Sequence, residues 1–125
     1  MNTLELIKLI DGKLINETAN VTREIKGGFA ADLMSDVLAS IQPEAVLITG
    51  LCNPQIIRTA IMADVAAILL VRGKTPQRET IELAYQERMP LISTALGMYQ
   101  VCGQLFDNGL PSFEDDIASR LMDPS

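Results

Sequence analysis

Apolar and polar positions in the middle of this chain alternate in blocks, not residue by residue. Ala45–Thr49 (AVLIT), Ala66–Val71 (AAILLV) and Pro90–Ser93 (PLIS) are near-continuous apolar runs. Each is followed by a polar turn and then a stretch of helical periodicity. This pattern predicts strands buried on both faces, hence a parallel sheet with helices on each side. Asn53-Pro54 carries the start signal of one helix, a side-chain cap followed by a residue pre-set for the first turn. Ile56, Ile57, Ala60 and Ile61 form its buried face. Thr75-Pro76 repeats the signal, with Ile81, Ala84 and Tyr85 inward and Arg78, Glu79 and Glu82 toward water. Ser93 or Thr94 caps the last regular helix, in which Leu96, Tyr99, Leu105 and Phe106 point inward and Asn108-Gly109 closes the turn.

Before these units, Asn2 and Glu5 have the spacing of a capping box, and Leu4, Ile7 and Leu9-Ile10 form the stripe of a first helix ending at Gly12. Lys13–Asn16 reads as a short strand, and Glu24–Ala30 as a strand carrying Gly27-Gly28. Paired glycines in a strand imply a bulge or a close backbone approach. Asp32 opens a helix with Leu33, Met34, Val37, Leu38 and Ile41 on one face, stopped by Pro43. After position 109 the pattern changes. Phe113, Ile117 and Leu121 recur every fourth residue beside Glu114, Asp115, Asp116 and Arg120, predicting a short amphipathic helix. The expected organisation is one α/β domain over 1–109, three-layered with a mainly parallel sheet, and a tail over 110–125.

At 125 residues the chain is long enough for one core without disulfides or metal. A net charge of −6 argues against nucleic acid, whose phosphates call for clustered Lys and Arg, and against an anionic membrane surface. Histidine is absent, which removes the commonest general base and metal ligand together. Cys52 and Cys102 are isolated thiols, as in a reducing cytoplasm, and no apolar stretch has the length of a membrane span. The first eleven residues carry acidic side chains and no small-residue cleavage site, unlike a signal peptide.

Candidate chemistry gathers at the strand ends. Arg72-Gly73-Lys74-Thr75 has the end of a phosphate-binding loop, but the position of that motif's first glycine is Ile68, in mid-strand. The GKT match is therefore read as a tight strand-to-helix turn with a Thr cap, and Arg72 and Lys74 as contacts for an anion over a helix start. Thr49-Gly50-Leu51-Cys52-Asn53 follows the first central strand, where open sheets keep their ligands. Gly50 permits close approach, and Asn53 is either a ligand to an anion or an ordinary cap. Cys52 has neither a histidine base nor an adjacent cation in sequence and reads as a non-catalytic thiol. Asp32, Ser35 and Asp36 read as a helix start with its charge complement, the alternative being acid–base or metal chemistry.

Several segments together resemble one family. Gly27-Gly28-Phe29-Ala30-Ala31-Asp32-Leu33-Met34-Ser35-Asp36-Val37 is similar to the GG-x3-DL-x-SDV segment of DRTGG-domain proteins. Asn53-Pro54, Ala67–Pro76 and Pro90–Thr94 follow in matching order. Asn53-Pro54 stands where the family has Asp-Arg, and Val71-Arg72-Gly73 stands where it has Thr-Gly-Gly. The resemblance implies a fold similar to the N-terminal domain of HPr kinase/phosphorylase. It also implies a non-catalytic, regulatory unit that forms homodimers, with relatives encoded near iron-only hydrogenase components.

The expected function is a ligand-sensing module without enzymatic activity or cofactor. Gly27, Gly28, Asp32, Ser35, Asp36, Thr49, Gly50, Asn53, Arg72, Gly73, Lys74 and Thr75 form the candidate site for a small anionic metabolite or nucleotide. The alternative is a scaffold that docks a protein partner and binds no metabolite. A third reading is a small enzyme using Asp32 and Asp36 with a metal.

Overall fold

The fold is that of a computed structural model, and the residues described are 1–114. The element order is α1 (Thr3–Leu9), β1 (Lys13–Leu14), β2 (Gly27–Ala30), α2 (Met34–Ser40), β3 (Ala45–Thr49), α3 (Gln55–Met62), β4 (Ala67–Leu70), α4 (Arg78–Glu87), β5 (Leu91–Ser93) and α5 (Met98–Asp107). The five strands form one sheet in the order β1-β5-β4-β3-β2. β2 to β5 are parallel neighbours, and only β1 runs antiparallel, against β5. This is the mainly parallel α/β sheet that the apolar blocks predict.

Burial along the strands explains why those blocks are continuous. Every residue of β3 and β4 is buried, and successive side chains go to opposite cores. Val46, Ile48, Leu69 and Ile92 pack with Leu6 and Ile10 of the α1 end and Val101 and Leu105 of α5. Leu47, Ile68, Leu70 and Leu91 pack with Val37 of α2, Ile56, Ile57 and Ala60 of α3, and Ala84 of α4. Three crossover helices therefore cover one face, and the first and last helices cover the other.

The β2 edge is not left open. Gly28 accepts from the Phe113 amide at 2.8 Å and donates to the Pro111 carbonyl at 2.8 Å, so 111–113 runs beside β2 as an extended segment. A Cβ on Gly27 would overlap the Phe113 ring. Gly27 of the pair thus serves a close approach, as the sequence implies, and the approaching group is the chain's own aromatic side chain; a Cβ on Gly28 would meet only ordinary contacts. Covering an edge this way blocks unwanted strand pairing. Phe113 lies in this extended segment; the remainder of the expected tail helix falls outside the described residues.

Several helix expectations need correction. α2 begins at Met34 after Leu33, with no side-chain cap, because the Asp32 carboxylate turns to β3 instead. α4 begins after Gln77 rather than at Thr75-Pro76, and α5 after Gly97 rather than at Ser93 or Thr94. The Thr94 hydroxyl instead donates to the Ile10 carbonyl at 2.9 Å. Tyr99 is 94% exposed and Phe106 71%, because Val101 and Leu105, one turn apart, already fill the buried stripe of α5. Leu33, Leu38, Ile61 and Tyr85 are likewise exposed, on the outer side of the three-helix layer. The Asn2 cap forms as expected, accepting from the Glu5 amide; α3 starts one residue later than expected, with Pro54 in the cap position, and the Asn53 side chain accepts from the Gln55 amide just ahead of the helix.

Candidate functional site

The carboxyl ends of β2, β3 and β4 bring together residues that lie far apart in sequence. The Asp32 Oδ1 atom accepts from the Thr49 hydroxyl at 3.0 Å and from the Gly50 amide at 2.8 Å. The Thr49 hydroxyl also accepts from the Leu51 amide at 3.2 Å. Thr49 is fully buried, so these bonds satisfy a hydroxyl that would otherwise be stranded. Asp32 is thus an anchor between two strand ends, and the helix-cap reading of this residue is wrong.

Gly50 opens the space between Asp32 and Arg72. A Cβ placed on it would lie 3.5 Å from Arg72 Nη2 and 3.7 Å from Asp32 Oδ1. Arg72 and Gly73 are both left-handed, at φ 62° and 63°. Their amides donate to the carbonyls of Leu96 and Thr94, each at 2.8 Å. The turn is therefore tied to the approach of α5 and does not wrap a phosphate, which agrees with the rejection of GKT as a phosphate loop. Its backbone amides at 72 and 73 are unavailable to a ligand, and the cationic groups that this turn offers an anion are the Arg72 and Lys74 side chains. Both are exposed, and among the described residues neither makes an ion pair.

The next loop is joined to this one through a single carbonyl. Cys52 O accepts from the Gln77 amide at 3.0 Å and the Thr80 hydroxyl at 2.7 Å. The start of α4 is thereby fixed to the loop that starts α3. The Cys52 thiol is raised above its ordinary pKa by burial, an effect that the nearby Lys74 cation partly offsets. Sequence reading gave no role to Gln77 and Thr80, because only the fold brings them to the Cys52 carbonyl.

The other candidates separate from this cluster. Gly27 pairs with Ala45 at the opposite end of the sheet and faces Phe113. Gly28 lines a cavity of about 220 Å³ with Ile48, Cys102, Phe106 and Leu110, between α5 and the covered β2 edge. Ser35 and Asp36 are exposed on α2, and Thr75 is exposed ahead of α4. Among the described residues no group of three His, Cys, Asp or Glu is placed to hold a metal ion, and no helix is long and apolar enough to cross a membrane.

A family model for the DRTGG domain matches residues 5–106. The chain belongs to the DRTGG-domain family. One solved structure similar to this DRTGG chain contains the CBS and DRTGG domains of the regulatory region of a Clostridium perfringens pyrophosphatase, in complex with its activator, diadenosine tetraphosphate. The two are 19% identical with a TM-score of 0.65, over 90% of this chain and 50% of that one. At that identity the likeness is one of fold, and the present chain spans half the length of the other. No curated protein sequence matches this DRTGG chain.

Proposed function

We propose that this DRTGG domain is a non-catalytic regulatory module that senses a small anionic ligand of the nucleotide class at the ends of β2, β3 and β4. The observation that carries the reading is the Arg72–Lys74 turn. Arg72 lies beside the glycine gap with Lys74 two residues on, and among the described residues neither cation makes an ion pair in an otherwise acidic chain. Arg72 holds a left-handed backbone that is about 1 kcal/mol less comfortable than for glycine. The nucleotide activator bound by the pyrophosphatase regulatory region supports the ligand class.

The module acts as a homodimer in this proposal. Leu33 and Leu38 of the α2 region and Ile61 and Met62 of neighbouring α3 are exposed apolar side chains on the outer helical layer, and they supply the contact. Binding at the loops shifts the dimer, since a ligand acts only through different affinities for two states.

A thermal-shift titration of the purified chain with nucleotides, acyl phosphates and inorganic phosphates tests the reading. A specific ligand at about a hundred times its Kd adds roughly 2.7 kcal/mol of stability. The gain should vanish in Arg72→Ala/Lys74→Ala with the fold intact. A flat response across the panel would remove the sensor reading.

The competing role is a scaffold that docks a protein, and exposed Tyr99 and Phe106 on α5 favour it. Truncation after Glu114 is the discriminating variant. Removing Leu110–Glu114 as well would strip a buried leucine and the Phe113 contact from the fold. A scaffold working through its tail loses its partner on this truncation, one working through α5 loses it in Tyr99→Ala/Phe106→Ala, and a sensor keeps its ligand in both.

A further inference from the structure

One oxygen at the strand ends has no task in simple anion binding. Asp32 Oδ1 takes both the Thr49 hydroxyl and the Gly50 amide, which fixes the carboxylate in place. Oδ2 accepts no hydrogen bond among the described residues, and no ion pair within 4.0 Å joins Asp32 to Arg72. Yet both groups face the same small space. A Cβ position on Gly50 lies 3.8 Å from Asp32 Oδ2 and 3.5 Å from Arg72 Nη2. The gap is therefore bordered by a fixed acceptor on one side and a guanidinium on the other, with Lys74 two residues beyond.

A site for phosphate alone would be better without the carboxylate, because like charges a few ångströms apart repel. The pairing suits a ligand that offers hydroxyl donors at one end and negative charge at the other. A carboxylate at a strand end accepting from a ribose hydroxyl is a recurrent solution in open α/β sheets. We infer that the loop cluster recognises a ribose phosphate ester, with its sugar hydroxyls on Asp32 Oδ2 and its phosphates on Arg72 and Lys74. This inference deepens the anion-site reading and rests on it.

Isothermal titration calorimetry of the full chain with ADP, 2′-deoxy-ADP, ribose 5-phosphate and pyrophosphate tests it, in the parent protein and in Asp32→Asn. The asparagine keeps an oxygen for Thr49 and Gly50 but replaces the open acceptor with an amide donor. In the parent, ADP should bind about tenfold or more tighter than its 2′-deoxy analogue, the range expected for one hydrogen bond to a charged group. The preference should disappear in Asp32→Asn, while pyrophosphate binds that variant at least as tightly because a repelling charge is gone. Ribose 5-phosphate showing the same dependence on Asp32 supports recognition of the sugar phosphate itself. ADP binding with that dependence while ribose 5-phosphate is silent supports recognition of the whole nucleotide. Equal affinity for ADP and 2′-deoxy-ADP, or a preference that survives Asp32→Asn, overturns the inference and leaves the anion site standing. Silence of all four compounds removes both.

Discussion

The Phe113 ring occupies the space that a side chain on Gly27 would need. The backbone is hydrogen-bonded on both sides of this contact, through Gly28 to Pro111 and Phe113 and from Gln42 to the Phe113 carbonyl. Neither partner is free to move away. Gly27→Ala should therefore lower stability by about 1–3 kcal/mol in urea unfolding, as overpacking does. Combining it with Phe113→Ala should relieve part of that loss, giving a non-additive cycle. Strict additivity would mean that the ring is not the obstacle.

Arg72→Gly separates stability from binding. Glycine at φ 62° removes the left-handed penalty, so the melting temperature should rise, by the equivalent of about 1 kcal/mol. Affinity for phosphate compounds should fall at the same time. A variant that is more stable and binds less well is the expected signature; unchanged binding would take Arg72 out of the site.

Asn16 is fully buried and ties three segments together. Its amide donates to the Met89 carbonyl at 2.6 Å and the Ala84 carbonyl at 3.2 Å, and its oxygen accepts from the Leu91 amide at 2.9 Å. Ala84 O has other donors, so Asn16→Ala strands mainly Met89 O and Leu91 N. Two unsatisfied buried groups predict a loss of about 2–4 kcal/mol. Asn16→Asp should be worst at neutral pH, where a carboxylate faces the Met89 carbonyl, and should recover as the pH falls and the acid protonates.

Both thiols should react slowly with iodoacetamide near neutral pH, because burial raises both above the ordinary thiol value. Lys74→Gln should slow Cys52 further and leave Cys102 unchanged, since only Cys52 is helped by that cation. The linked effect on folding follows the sign of the shift. A raised thiol pKa contributes stability that is fully present below the unfolded value and is lost as the pH rises through the folded one. Alkaline urea titrations of Cys52→Ser and Cys102→Ser should therefore show shallower losses than the parent.

The sheet was legible because β3, β4 and β5 are buried on both faces, and continuous apolar runs have few other uses. The helices were less so. Tyr99, Phe106 and Tyr85 satisfied an apolar tally without lying on the buried stripe, since positions only one or two residues from a buried one turn away from the core. Asp32 shows the limit most clearly. Before a helix, an aspartate reads as its cap, and only the distance to Thr49, set by parallel pairing of β2 and β3, reveals the stronger partners. Gly27-Gly28 did announce a close approach, but the approaching residue comes from the far end of the chain and has no local signature.

The strand order has a consequence for synthesis. Because β2 to β5 are laid down side by side in sequence, α2, α3 and α4, which cover one side of the sheet, are all synthesised before α5, which covers the other. The other side waits. Val46, Ile48, Leu69 and Ile92 stay bare on that side until α5 leaves the ribosome, with only α1 available to shield them. Until α5 has emerged, the helices available to the nascent chain can complete only one face of the sheet. At that stage the chain is most exposed to aggregation and most suited to chaperone capture.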